Sequence, residues 1–103
     1  MVSNMVDARS IIDDRIALTE TAFVELVVWE VPSPVRGSEH QFKYRLVLVS
    51  GGECVVRYDN EAGKGDHKHI GLAEVPYWFQ GLTQLQDDFW KDVEQWVKKR
   101  NGQ

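Results

Sequence analysis

Cysteine is scarce in this chain, and apolar runs are short. The single cysteine, Cys54, excludes an intramolecular disulfide, so a reducing, cytoplasmic setting is expected. Cys54 precedes Val55 and Val56, and this apolar context predicts a buried side chain rather than a nucleophile. A helix that crosses a bilayer needs about 20 apolar residues, and no segment approaches that length. We therefore expect no contact with a membrane.

An excess of positive charge is also missing. Lys and Arg number 12 against 16 Asp and Glu, which gives a formal net charge of -4. This balance argues against a protein that coats nucleic acid by bulk electrostatics, so any such contact must be local. Apolar residues make up 43% of the 103 residues, enough to fill one core. The chain is expected to form a single domain over residues 1–103.

Alternation of apolar and polar residues predicts about four antiparallel strands in the first sixty residues. If Gly51 and Gly52 form a two-residue turn, Val49 faces Cys54, and Tyr44, Arg57 and Asp59 project from one face of the sheet. A bulge of one residue would exchange these faces. The predicted strands are 12–18, 22–31, 41–49 and 53–59.

A long amphipathic helix is predicted at the C-terminus. Thr83 and Gln86 resemble a capping box at its start, while Lys98 to Arg100 suit the negative end of the helix dipole. The fold class is therefore α+β, with the helix packed on the antiparallel sheet. Its apolar positions recur every three or four residues, at Leu82, Leu85, Phe89, Val93 and Trp96.

The stretch 57–71 is punctuated by glycine, which predicts a loop after the fourth strand, and it contains two of the chain's 3 histidines, His67 and His69. Histidine can both take and give a proton near neutral pH, because its ordinary pKa is about 6.5. In an extended segment the two rings point the same way. We expect both imidazoles to open into solvent beside positive groups, where they could grip one phosphodiester.

These residue types suit metal-free cleavage of RNA by its own 2'-hydroxyl. The reaction needs a base, an acid and cations that stabilise the charge on the phosphorane. A carboxylate can orient an imidazole, and Tyr58 or Tyr44 could donate a hydrogen bond or stack on a base. Neither a cofactor nor a metal is required, and the pattern leaves open which histidine is base and which is acid. The candidate catalytic residues are Arg57, Asp59, Lys64, Asp66, His67 and His69.

Other interpretations fit the same stretch. Asp66, His67 and His69 could bind a metal, with Asp59 or His40 completing the ligands, as in a metal-dependent nuclease. The histidines could instead be structural struts in a non-catalytic module that blocks a macromolecular partner. His40, beside a glycine-containing connection, is expected to be ordinary surface.

The stretch from Arg57-Tyr58-Asp59-Asn60 to His67-Lys68-His69 resembles the TumE-like toxins of prokaryotic toxin-antitoxin pairs. The resemblance extends from about Leu26 to Trp96. It implies a small cytoplasmic toxin that halts growth by attacking RNA, free or bound to the ribosome, and that a DNA-binding antitoxin neutralises. Aromatic residues on both faces of the sheet also suggest a homodimer or an antitoxin-binding surface.

Overall fold

The computed structural model describes residues 7–102, which form one antiparallel six-stranded sheet and one helix. The strands follow one another across the sheet in chain order, so each pairs with its neighbours in sequence. The elements are β1 (Arg9–Ala17), β2 (Ala22–Glu30), β3 (Phe42–Ser50), β4 (Glu53–Glu61), β5 (Gly65–Ile70), β6 (Ala73–Pro76) and α1 (Leu82–Arg100).

The α+β class is confirmed, but the described sheet has six strands rather than about four. The segment interpreted as a loop forms β5 and β6. Its glycines serve as hairpin turns instead of marking irregular structure: Gly63 and Gly65 have φ of 88° and 76°, and Gly71 has φ of 59°. These left-handed conformations let the chain reverse within a few residues at little steric cost.

The register between β3 and β4 differs from the simple two-residue turn. Val49 does pair with Cys54, but a shift after this pair brings Leu48 opposite Val56 and Arg45 opposite Asp59. The bulge exchanges the predicted faces, as one extra residue must in a structure of period two. Tyr44 therefore shares a face with Tyr58, whereas Arg57 and Asp59 occupy the opposite face.

Helix α1 covers one face of the sheet and closes the core, as predicted. It begins at Leu82 after Gly81 with no side-chain cap, so the predicted capping box at Thr83 is wrong. The Gln86 side chain instead donates to the Leu82 carbonyl. The core unites Leu85, Phe89 and Val93 of the helix with Val24, Leu26, Val28, Tyr44, Leu46, Leu48, Val56 and Tyr58 of the sheet.

The connection between β2 and β3 packs on the turn between β4 and β5. The Gly63 N–H donates to the Arg36 carbonyl at 2.7 Å. A Cβ on Gly37 would lie 2.8 Å from the Gly65 nitrogen, and one on Gly65 would lie 2.7 Å from the Gly37 carbonyl oxygen. Both positions therefore need glycine, and their contact places the start of β5, which carries Asp66 and His67.

Cys54 is exposed, so the prediction that it is buried is wrong. Its position next to the turn at Gly51 and Gly52 leaves it outside the core. Within residues 7–102, no helix combines the length and apolar character that spanning a membrane requires.

Candidate active site

The pairing of β4, β5 and β6 gathers polar side chains on the sheet face opposite α1. Arg57 pairs with His69 and Asp59 with His67, so these four side chains emerge together. Glu74 of β6 pairs with His69 and joins them. We call this group the histidine cluster, comprising Arg57, Asp59, Glu61, Lys64, His67, His69 and Glu74.

His67 is the buried centre of the cluster. Only 5% of its side chain is exposed, and its Nδ1 lies 3.0 Å from the Gly65 carbonyl oxygen. Three carboxylates surround the other ring nitrogen, Nε2. Their oxygens lie 2.9 Å away in Asp59, 3.5 Å in Glu74 and 3.7 Å in Glu61.

His69 lies beside His67, with 5.1 Å between the ring centroids. Arg57 Nη2 is 2.8 Å from His69 Nε2 and must be the donor, because a guanidinium cannot accept a hydrogen bond. Glu74 Oε2 is 3.2 Å from the same nitrogen. The His69 side chain is 24% exposed. His67 is buried, so the prediction that both imidazoles open into solvent is wrong for His67.

The predicted cations of the cluster contact carboxylates. Lys64 Nζ lies 3.1 Å from Glu74 Oε2, and this hydrogen bond holds the pKa of Glu74 below its ordinary value. Arg57 Nε lies 3.4 Å from Asp59 Oδ2. Both cations are therefore paired within the cluster rather than directed freely at a substrate.

Three buried side-chain atoms of residues 7–102 make no hydrogen bond, and all belong to the histidine cluster: Arg57 Nε, Asp59 Oδ1 and His67 Nε2. Buried polar atoms are normally satisfied, so a concentration of exceptions calls for an explanation. One donor atom each from Asp59, His67 and His69 lies within 4.8 Å of the other two, a grouping able to hold a metal ion.

Asp66 lies on the opposite face of β5, away from the two histidines. Its carboxylate accepts hydrogen bonds from Ser38 Oγ at 2.5 Å and from Tyr44 Oη at 2.7 Å, and His40 Nε2 lies 2.7 Å away. The Phe42 N–H donates to His40 Nδ1, so both ring nitrogens of His40 are occupied. We call Ser38, His40, Tyr44 and Asp66 the Asp66 network.

The Asp66 network corrects two expectations. His40 is not ordinary surface: 14% of its side chain is exposed, and its ring stacks on Phe79 with 3.7 Å between centroids. Tyr44 and Tyr58 are buried, so neither is placed to stack on a base. Burial, followed by the hydrogen bond to Asp66, raises the pKa of Tyr44 far above its ordinary value, so its hydroxyl remains a donor.

Two cavities flank the start of β5. The larger, of about 350 Å³, borders the Asp66 network and is lined by His40, Asp66, Tyr77, Trp78 and Phe79 among others. The smaller, of about 280 Å³, is lined by Lys64, Asp66, His67, Glu74, Val75 and Pro76. The buried His67 ring thus borders a space large enough for solvent or a small ligand.

The fold brings five of the six predicted site residues together and separates the sixth, Asp66. Glu61 and Glu74, which the sequence interpretation omitted, complete the histidine cluster. Glu61 lies on the same face of β4 as Arg57 and Asp59. The two-residue period of a strand could therefore have predicted its place in the cluster. Glu74 could not be placed without β6, a four-residue strand that carries little periodic signal.

Comparison with known proteins gives one family match. A protein-family model described as Toxin TumE matches residues 3–97, nearly the whole chain. No curated protein and no solved structure matches it.

Proposed function

This chain belongs to the TumE toxin family, and we propose that it arrests growth by cleaving RNA at the histidine cluster. Membership of a toxin family implies an antitoxin partner. That the antitoxin binds DNA, that the toxin dimerises and that both act in the cytoplasm stay predictions.

The observation that carries this proposal is the convergence of two imidazoles and a carboxylate beside a cavity that His67 lines. His67, His69 and Asp59 approach one another within 4.8 Å, and two of the three have buried atoms without hydrogen-bond partners. A purely structural group would be expected to satisfy these atoms, as the Asp66 network does. The unsatisfied groups are therefore better explained by chemistry than by stability.

The proposed reaction is an internal transfer on the RNA backbone. The 2'-hydroxyl oxygen attacks the adjacent phosphorus, its proton passes to a base, and the bond from phosphorus to the 5'-oxygen breaks. The leaving 5'-oxygen takes a proton from an acid. The products are a 2',3'-cyclic phosphate and a 5'-hydroxyl, and the reaction consumes no water.

The charges of the cluster bear on how the phosphate is held. A metal-free reaction requires free cations at the phosphate, whereas Lys64 and Arg57 contact Glu74 and Asp59. With neutral imidazoles, the three carboxylates of the cluster exceed its two cations by one formal charge. The cluster in this form repels a phosphate, so the geometry favours RNA cleavage with an additional cation over the metal-independent scheme.

A non-catalytic module that blocks a macromolecular partner is the second candidate function. It is favoured by large apolar side chains exposed along β6 and the segments next to it, at Leu72, Val75 and Trp78. Exposed apolar groups close together are typical of protein interfaces. The antitoxin could also use them, so this surface does not count against RNA cleavage.

Induced expression without the antitoxin tests the proposal. The wild-type chain should arrest growth and produce RNA fragments that end in cyclic phosphate. A His67→Gln, His69→Gln double variant should lower fragment yield at least about 100-fold, because it removes both imidazoles, whether they act as acid and base or hold the additional cation. Sequencing of fragment ends by cyclic-phosphate ligation measures the yield.

Glu25→Gln provides the matched control, because Glu25 pairs with Arg15 on the same sheet face, outside the cluster. This variant should retain full toxicity. Growth arrest with intact RNA would instead support the blocking module, and full toxicity of a folded double variant would remove the histidines from the reaction.

A further inference from the structure

The hydrogen bond at Nδ1 determines which nitrogen of His67 carries the proton. A carbonyl oxygen can only accept, so Nδ1 is protonated where it meets Gly65. In the neutral ring, Nε2 then presents a lone pair 2.9 Å from Asp59 Oδ1, which also has only lone pairs. Two lone pairs at this distance repel each other unless a positive charge lies close to both.

His69 offers a further nitrogen within 4.8 Å of the donor atoms of Asp59 and His67. Its Nε2 accepts a hydrogen bond from Arg57, so this nitrogen carries no proton. Nδ1–H of His67 bonded to a main-chain carbonyl is also the arrangement that orients histidines at metal centres. Asp59 and His67 are 10% and 5% exposed, so these donor atoms are withdrawn from bulk water.

We infer that Asp59, His67 and His69 bind one divalent transition-metal ion of the Zn²⁺ class. Two imidazoles and one carboxylate form a three-ligand set with positions left for water or substrate. Imidazole ligands favour Zn²⁺, Co²⁺, Ni²⁺ or Fe²⁺, whereas Mg²⁺ and Ca²⁺ prefer oxygen alone. The negative formal balance of the cluster also favours a cation at this position.

Binding requires a modest rearrangement of the ligands, with His67 and Asp59 already closer than a tetrahedral site needs. With bonds of about 2.1 Å, tetrahedral ligand atoms lie roughly 3.4 Å apart, compared with separations of up to 4.8 Å here. Rotation of His69 toward Asp59 would close this gap and release Arg57 from His69 Nε2. The cavity beside His67 leaves room for water or substrate on the metal.

A bound metal ion would change the formal charge of the histidine cluster from negative to positive. A divalent ion changes the formal balance of the cluster from -1 to +1 and frees the Arg57 guanidinium to face an anion. This use of the metal in RNA cleavage rests on the proposed function. Metal binding itself does not, because it can be measured without RNA.

Calorimetric titration of untagged, chelator-treated protein with ZnCl₂ tests the inference. Cys54 is an exposed thiol that could bind Zn²⁺ by itself, so all variants carry Cys54→Ser. One equivalent of Zn²⁺ should bind, and Asp59→Asn or His69→Gln should weaken binding at least tenfold. Glu25→Gln should bind as the parent does, and Mg²⁺ should not compete.

A folded parent that binds no stoichiometric Zn²⁺, or folded variants that bind as tightly as the parent, would overturn the metal site. Circular dichroism establishes folding in each case. Co²⁺ in place of Zn²⁺ adds a spectroscopic test, because ligation by imidazole and carboxylate in a four-coordinate site should give visible absorption bands that His69→Gln removes.

The failure of this inference differs from the failure of the proposed function. Stoichiometric Zn²⁺ binding by a toxin that leaves RNA intact would support the metal site while removing the ribonuclease. RNA cleavage at an unchanged rate in excess chelator, by protein that binds no Zn²⁺, would support the ribonuclease and exclude the metal site.

Discussion

Asp59 and Asp66 show how two buried carboxylates of similar exposure serve different purposes. Asp66 is 9% exposed and meets Ser38, His40 and Tyr44, so both of its oxygens are satisfied. Asp59 is 10% exposed and keeps an oxygen without a hydrogen-bond donor, 2.9 Å from His67 Nε2. The two carboxylates are almost equally buried, but they differ in the number of hydrogen bonds that they accept. Asp66 stabilises the fold, whereas Asp59 keeps an oxygen that the proposed metal ion would use.

Replacing Asp66 should therefore lower stability. Asp66→Ala leaves the buried Tyr44 hydroxyl and its neighbours without an acceptor, which should cost roughly 3 kcal/mol in the free energy of unfolding. Urea denaturation measures the loss, and Asp13→Ala, at an exposed position of β1, should change it by less than about 0.5 kcal/mol. Equal stabilities of the two variants would contradict this role. If Asp66→Ala does not fold, Asp66→Asn should show a smaller loss of the same sign.

Among the secondary-structure elements, the β4–β5 hairpin decides the geometry of the site. It pairs Asp59 with His67 and Arg57 with His69. The turn of this hairpin is supported by the connection between β2 and β3, through the close approach of Gly37 and Gly65. The hairpin is thus held by a segment distant in sequence as well as by its own ladder.

A methyl group at Gly37 should disturb this support. Gly37 has φ of 100°, and its Cβ would meet the Gly65 backbone at 2.8 Å. Gly37→Ala should destabilise the fold by at least about 3 kcal/mol, because a backbone clash adds to the conformational strain. Gly51→Ala is the matched control: it has φ of 58° and open space around its Cβ, and should cost about 1 kcal/mol. Denaturation midpoints compare the two, and similar losses would show that the contact matters little.

Across residues 7–102, helix α1 covers one face of the sheet and leaves the other to the histidine cluster. Phe89 is fully buried beneath the helix, with its ring edge-on to Tyr58 at 5.9 Å between centroids. The apolar core and the cluster therefore share β4 but use its opposite faces. This division lets polar and charged residues collect without entering the core.

Truncation at the centre of the core should strongly destabilise the fold. Phe89→Ala should lower the free energy of unfolding by about 3–5 kcal/mol, the usual loss for a buried phenylalanine. Lys91→Ala, at an exposed position on the same helix, should change it by less than about 0.5 kcal/mol. Thermal denaturation followed by circular dichroism measures both. A Phe89→Ala loss below about 1 kcal/mol would mean that the helix is not the main cover of the sheet.

The amino-acid pattern was sufficient for the α+β class, four of the strands and the helix. Period two and period 3.6 are local properties, so they are visible in residues such as Val24, Leu26 and Val28 or Leu85, Phe89 and Val93. The short strands β5 and β6 were missed because glycine was interpreted as a loop signal, although the same residue permits tight hairpins.

The composition of the site depended on the three-dimensional arrangement. Side chains reverse direction at each residue of a strand, so the bulge between β3 and β4 exchanged the face of Tyr44 relative to Arg57 and Asp59. The same alternation separated Asp66 from His67, its immediate neighbour, while pairing with β6 brought in Glu74. The local sequence was enough to predict what chemistry these residue types can perform. Register and strand pairing, which link residues far apart in the chain, decided which of them meet.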